Sequence, residues 1–225
     1  MNQHLLWRAG FGPGASQLTQ LQSSDPSQLY QILKKTSSKK PEYLQVSENY
    51  LQGLLMGVGD VVSMEELQKK GLDSETRKKF REKSREDLKQ LNLVWLDKMV
   101  HTQAQLREKM SFFWHGHFAC RDINVFHQQL LLHDIRDNAL ENFGDLLKAV
   151  SKSPAMLGFL NNQQNRKGHP NENFAREVME LFTLGRGNYT ENDVKEAARA
   201  FTGWGFNLKG EFVFRPFQHD KGSKT

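Results

Sequence analysis

Apolar side chains recur along this chain mostly at three- and four-residue spacing, the period of helices rather than strands. Asp25-Pro26 reads as a helix start, with Asp as N-cap and Pro at the first helical position, and Leu29, Ile32 and Leu33 supply the apolar stripe that follows. Ser63-Met64-Glu65-Glu66 reads as a capping box for a short helix ending near Gly71. Ser74 to Lys89 carries seven Lys or Arg and four Asp or Glu, with pairs such as Glu75 and Lys79 four apart, and predicts a solvated helix. Its apolar phase strengthens at Leu88, Leu91, Trp95 and Met99. Thr102 and Gln105 form a second capping box, opening a helix through Leu106, Met110, Phe113 and Trp114 that Gly116 is placed to stop.

Further helices are expected over 125–140, 145–150, 155–160 and 171–184, the last closed by Gly185. A polar loop, 161–170, precedes the last of these. Thr190 and Asp193 cap another helix carrying Val194, Ala197, Ala198 and Phe201. Only residues 206–214 alternate like strand, around Leu208-Lys209-Gly210-Glu211, and predict a hairpin. Before all of these, Trp7, Arg8 and Phe11 lead into a Gly12-Pro13-Gly14 turn. The expected fold is mainly α: one irregular multi-helix domain over 1–225, with a small β-hairpin near its C-terminus.

Composition sharpens this picture. The 225 residues include 28 Leu against 11 Val and 3 Ile, a balance that favours helix over sheet. Lys and Arg number 31 against 26 Asp and Glu, a net charge of +5 without a basic tail or arm, so nucleic acid is not the expected partner. Acids interrupt the bases of 74–89, which weakens a phosphate-binding reading of that helix. No apolar run reaches the roughly 18–20 residues of a membrane span. Met1 to Gly14 lacks the layout of a secretory signal. A single cysteine, Cys120, leaves no intramolecular disulfide and no cysteine-rich zinc site. Phosphate loops, dinucleotide fingerprints and Gly-x-Ser-x-Gly elbows are also missing from the sequence.

Candidate chemistry concentrates in three places. In Trp114-His115-Gly116-His117 the two histidines point about 200° apart within a helix. They converge only if Gly116 ends it. Asn173, Glu177 and Glu180 form a polar stripe beside the apolar face of Phe174, Val178 and Leu181. Glu177, flanked by Phe174 and Leu181, is expected to be half-buried and to need a cation, a metal or several donors. Arg176 lies four residues before Glu180 and is expected to pair with it. The competing reading of the stripe is an ion-pair network to Arg107 or Arg121. The tail adds His219-Asp220, with Lys224 and Thr225 as a polar rim. His133, on one stripe with Phe126 and Leu130, reads as a satisfied core histidine, while His101 and His127 show no pattern.

Several blocks resemble a bacterial family, the domain of unknown function 1800 family. They are His4-Leu5-Leu6-Trp7-Arg8-Ala9-Gly10-Phe11-Gly12, Arg107-Glu108-Lys109-Met110 leading to Phe113-Trp114-His115-Gly116-His117-Phe118, Asn173 to Gly185, Ala200-Phe201-Thr202-Gly203-Trp204, and His219-Asp220 with Lys224. The resemblance implies no established activity. It does imply longer, often exported members, so that this chain corresponds to their N-terminal half and a C-terminal half packs against it. Two functional readings follow. One is metal-assisted hydrolysis, with His115, His117, His219 and Asp220 as ligands of a divalent metal, Glu177 or Glu180 as base, and Arg107, Asn173 and Arg176 in support. The other is a non-enzymatic envelope or scaffold protein whose charged cluster is structural.

Overall fold

A computed structural model describes residues 2–14, 24–47, 74–207 and 209–225. The helix expected over 63–71 and the Glu75–Lys79 side chains lie outside the described residues. The remaining elements are mainly helical, and the hairpin is present.

Helix α1 (Asn2–Ala9) buries Leu6 and Ala9; the chain bends at Gly10 and Phe11, before the expected Gly12-Pro13-Gly14 turn, and Gly12, at φ +99°, donates its N–H to the Leu6 carbonyl at 3.3 Å. Helix α2 (Pro26–Thr36) starts as its sequence dictates: the Asp25 carboxylate accepts the Gln28 N–H at 3.1 Å, and Pro26 holds the first turn. Only part of its apolar stripe turns inward. Leu33 is buried and Leu29 packs beside it, whereas Ile32 is 57% exposed.

Helix α3 (Ser74–His101) is long, and its inward face runs through Leu91, Trp95 and Met99. Among the described side chains of its first half most are solvated as expected, while Ser84 and Asp87 are buried; Lys83 pairs with Asp87 at 2.5 Å.

Helix α4 (Gln105–His117) begins two residues later than the Thr102 capping box predicts. Thr102 Oγ1 accepts the Ala104 N–H at 3.0 Å, and the Gln105 amide reaches the Thr102 carbonyl rather than its N–H. Gly116 does not end α4. The helix runs on through His117, and Phe118 closes it by donating its N–H to the Trp114 carbonyl at 2.8 Å.

Helix α5 (Val125–Asn138) is the central strut, touching α3, α4, α6 (Phe143–Lys152) and α7 (Pro154–Phe159). Surrounded on several sides, it buries Val125, Leu131, Leu132 and Ile135 together with His127, Gln129 and Arg136. Each of those polar groups needs a partner, and each has one: Gln129 Oε1, for example, accepts the Val46 and Ser47 N–H groups at 2.9 and 3.3 Å. Asn142 and Ser153 cap α6 and α7 through their side chains.

The 161–170 loop is polar in sequence but not all solvated. A short 3-10 turn at Asn162–Gln164 buries Asn162, and Asn165 is buried too. Their amides bind the carbonyls of Phe201, Trp204 and Ala198, lashing the loop to the C-terminal end of the later helix Glu191–Ala200 and to the hairpin.

Helix α8 (Asn173–Glu177) passes into a π-helical turn over Val178–Thr183. Helix α9 (Glu191–Ala200) opens with both arms of the Thr190–Asp193 capping box in place. Strands β1 (Trp204–Phe206) and β2 (Phe212–Phe214) pair antiparallel, Gly205 opposite Val213. The main core joins α5, α6, α7, the π turn and β1 through Phe118, Leu131, Ile135, Leu157, Phe174 and Phe182.

Candidate functional site

The continuation of α4 through Gly116 sends its two histidines to opposite sides. The His115 ring lies edge-on to Trp95 of α3, centroids 5.1 Å apart, and burial pushes its pKa down. His117 faces the other way, its Nε2 3.1 Å from the Phe182 carbonyl. Their convergence required a helix break that does not occur.

The π turn rewrites the face expected around Glu177. Thr183 Oγ1 binds the Val178 carbonyl and the Leu184 N–H binds the Met179 carbonyl, both five residues back, so a constant step of 100° fails after Glu177. Leu181, expected inward, is 58% exposed, while the Glu180 carboxylate is mostly covered. Glu180 does not pair with Arg176. It accepts from Arg186 Nε at 2.5 Å and from the Tyr189 hydroxyl at 2.7 Å, and these donors hold its carboxyl below the ordinary glutamate value. Arg176 instead spans Glu191 and Glu172 at 2.7 and 3.1 Å, joining α8 to the start of α9. Asn173 donates to the Leu160 carbonyl at 3.1 Å. Glu177 is half-buried as expected, and among the described residues its carboxylate has no hydrogen-bond partner.

Arg107 does not reach this stripe. It is buried, and its guanidinium donates to the carbonyls of Ser37, Arg136 and Asp137 at 2.8–3.0 Å, the C-terminal ends of α2 and α5 where helix dipoles favour a cation. The neighbouring Glu108 carries the buried ion pair. Arg136 grips it with Nη2 at 2.7 Å and Nε at 3.1–3.2 Å, and Trp95 Nε1 donates to it at 2.9 Å. Sequence reading missed this pair because its members are 28 positions apart.

The tail forms a dense polar cluster. Thr202, fully buried, is its hub: its hydroxyl accepts the Asp220 N–H at 2.8 Å and its carbonyl accepts from His219 Nδ1 at 2.8 Å. That bond leaves His219 Nε2 as the other ring nitrogen, with Nδ1 carrying the proton. Arg199 bridges Asp220 (Nε at 2.9 Å) and Glu196 (Nη1 at 2.6 Å), and with the Gly222 N–H it holds the Asp220 carboxyl down at about 2. Lys224 Nζ binds the Asp220 carbonyl, and the Thr225 N–H reaches Glu196 at 3.3 Å. Gly203 allows the close approach behind this hub. Its φ is +79°, and a Cβ there would sit 2.6 Å from the Arg215 carbonyl oxygen.

Residues 4–225 match the family described as protein of unknown function (DUF1800). The chain belongs to that family. No curated protein and no solved structure matches it. The DUF1800 match spans all the sequence blocks singled out above, and the geometry gives those after the first a local reason. Arg107-Glu108 is the buried ion-pair and carbonyl latch, Asn173 to Gly185 holds the π turn, and Phe201-Thr202-Gly203-Trp204 cradles His219-Asp220.

The histidines and acids expected to act together therefore stand in separate settings: His115 against α3, His117 against the π turn, and His219-Asp220 on Thr202 and Arg199. Among the described residues no group of three or more His, Cys, Asp or Glu side chains is gathered as a metal would require. The residues singled out as ligands belong to no such group there. Two further groups escaped the sequence reading. His127 Nδ1 binds Asp122 at 2.6 Å and its Nε2 meets the Asn124 amide at 3.3 Å, a link that Asn124, as N-cap of α5, signals in the sequence. Beside them, burial pushes the Cys120 thiol up to about 12, so it is no ready nucleophile. His133 is not the satisfied core histidine expected: its Nδ1 is buried without a hydrogen-bond partner, and its ring lies edge-on to Tyr43.

Proposed function

We propose that this chain is a non-enzymatic scaffold module of the bacterial envelope, in which the charged clusters bind its own elements together. The observation that carries this reading is the pairing of the acids offered as catalytic or ligating groups. Glu180 is taken up by Arg186 and Tyr189, and Asp220 by Arg199. Its placement in the envelope rests on the family resemblance. So does its packing against a C-terminal half, for which exposed Leu93, Leu96, Val100, Phe112 and Phe113 offer apolar surface.

Metal-assisted hydrolysis has one observation in its favour: Glu177, half-buried and without a side-chain hydrogen bond among the described residues, though Arg186 attracts it electrostatically, adjoins a π turn, a feature frequent at functional sites. Elemental analysis of the purified full-length protein, beside a His115→Ala, Glu177→Gln double variant, separates the two readings. The scaffold reading expects no stoichiometric metal in either protein, and a Glu180→Gln variant that melts earlier with metal content unchanged. Stoichiometric zinc, manganese or iron that vanishes in the double variant overturns it.

A further inference from the structure

The hairpin leads into a tight turn, where the Gln218 N–H donates to the Arg215 carbonyl at 3.0 Å. At the tip, Phe217 leaves 89% of its surface to solvent, the largest value among the large apolar side chains described. Pro216 beside it is exposed, and Phe214 on β2 is 45% exposed. The turn is braced from both sides. The Arg215 N–H donates to the Gly203 carbonyl and the Lys167 N–H to the Gln218 carbonyl, each at 2.8 Å. The backbone thus holds an apolar tip out into water on a fixed support, where hydrophobic burial is forgone.

Around this tip the charge is one-sided. Arg166 and Lys167 sit on the loop bonded to Gln218, and Lys221 follows the turn; all three are exposed, and none forms an ion pair among the described residues. The acid of the turn, Asp220, is already neutralised by Arg199. Cations alone suit any polyanion. An aromatic side chain projecting among them suits a partner with anionic charge at its surface and an apolar interior beneath it.

We propose that this tip docks on an anionic lipid bilayer, Phe217 entering the headgroup–acyl boundary while Arg166, Lys167 and Lys221 meet lipid phosphates. The proposal stands independently of the scaffold reading, because an enzyme and a scaffold use such an anchor equally well. Aromatic side chains favour this boundary, and each nearby Lys or Arg adds to attraction by an anionic leaflet.

Flotation of the full chain with two kinds of vesicle tests it, phosphatidylcholine alone and phosphatidylcholine with added phosphatidylglycerol. The expected result is binding to the anionic vesicles only, weakened by salt. Phe217→Ser lowers the partition coefficient by about tenfold without moving the melting temperature, since that side chain is 89% exposed. Arg166→Glu with Lys167→Glu lowers it by at least roughly fivefold per charge removed. Three results overturn the proposal. The first is no vesicle binding. The second is binding that Phe217→Ser leaves unchanged while soluble polyphosphate competes, which marks a polyanion site. The third is a Phe217-dependent dimer in place of vesicle binding, which assigns the tip to a second copy.

Discussion

Arg136 and Glu108 show what a single buried residue demands. Both side chains are essentially without solvent, and the Glu108 carboxylate receives the Arg136 guanidinium and the Trp95 indole. A carboxylate so enclosed is tolerable only with its partners present. Removing one side leaves the other charged and stranded. Glu108→Gln or Arg136→Met alone is therefore expected to destabilise by about 3–5 kcal/mol, while the apolar double variant Glu108→Leu, Arg136→Met recovers much of the loss. Urea unfolding of the three variants checks this; equal losses in single and double variants count against a coupled pair. Arg107 is a different case. It binds carbonyls, so its place is set by where α2 and α5 end.

Elements differ in how strictly their sequence specifies them. The caps of α2 and α9 follow from Asp25-Pro26 and from Thr190 with Asp193, because each motif satisfies its own orphan N–H groups locally. The π turn at Val178–Thr183 carries no such local mark, and a regular wheel misplaces Leu181 and Glu180 on it. The hairpin and the tail depend on a position where two segments touch. Gly203→Ala meets both a positive φ and the Arg215 carbonyl, whereas Gly168→Ala, at φ +84°, meets open space. The second substitution is expected to cost about 1–2 kcal/mol in backbone strain. The first should cost at least about 2 kcal/mol more, a further fall in melting temperature of roughly 4–8 °C for a chain of this size. Equal melting temperatures for the two variants would show that the contact is not tight.

For the whole molecule, pH reads out how burial is distributed. Asp134 on α5 is half-buried, and desolvation, reinforced by Asp137, raises its carboxyl to about 7. A carboxyl raised above its unfolded value favours the protonated fold, so its contribution is full below about 3.8 and is lost as pH rises through about 7. Nearby His133 runs oppositely: burial lowers it, so its contribution is lost as pH falls. Asp134→Asn isolates the carboxyl. The stability of the variant relative to the parent is expected to grow from pH 4 to pH 7 and then level off. Urea midpoints across that range check it, and a constant difference rejects the assignment. Asp220, held at about 2 by Arg199 and the Gly222 N–H, sits on the acid limb, where its contribution is lost below about pH 4.

The sequence by itself determined the helical class, the principal caps, the inward face of α3, the position of the hairpin and the family blocks. All of these are encoded by residues within a few positions of one another, where backbone geometry alone relates side chain to side chain. Only the tertiary structure decided which charges meet. Glu108 with Arg136, Arg176 with Glu191, Arg199 with Asp220 and His219 on Thr202 are pairings across 15 to 28 positions, chosen by how helices pack. It also decided that α4 runs through Gly116, parting His115 from His117. A glycine permits a helix to end but does not require it, and the packing of Trp114, Phe118 and Phe182 favours its continuation through His117.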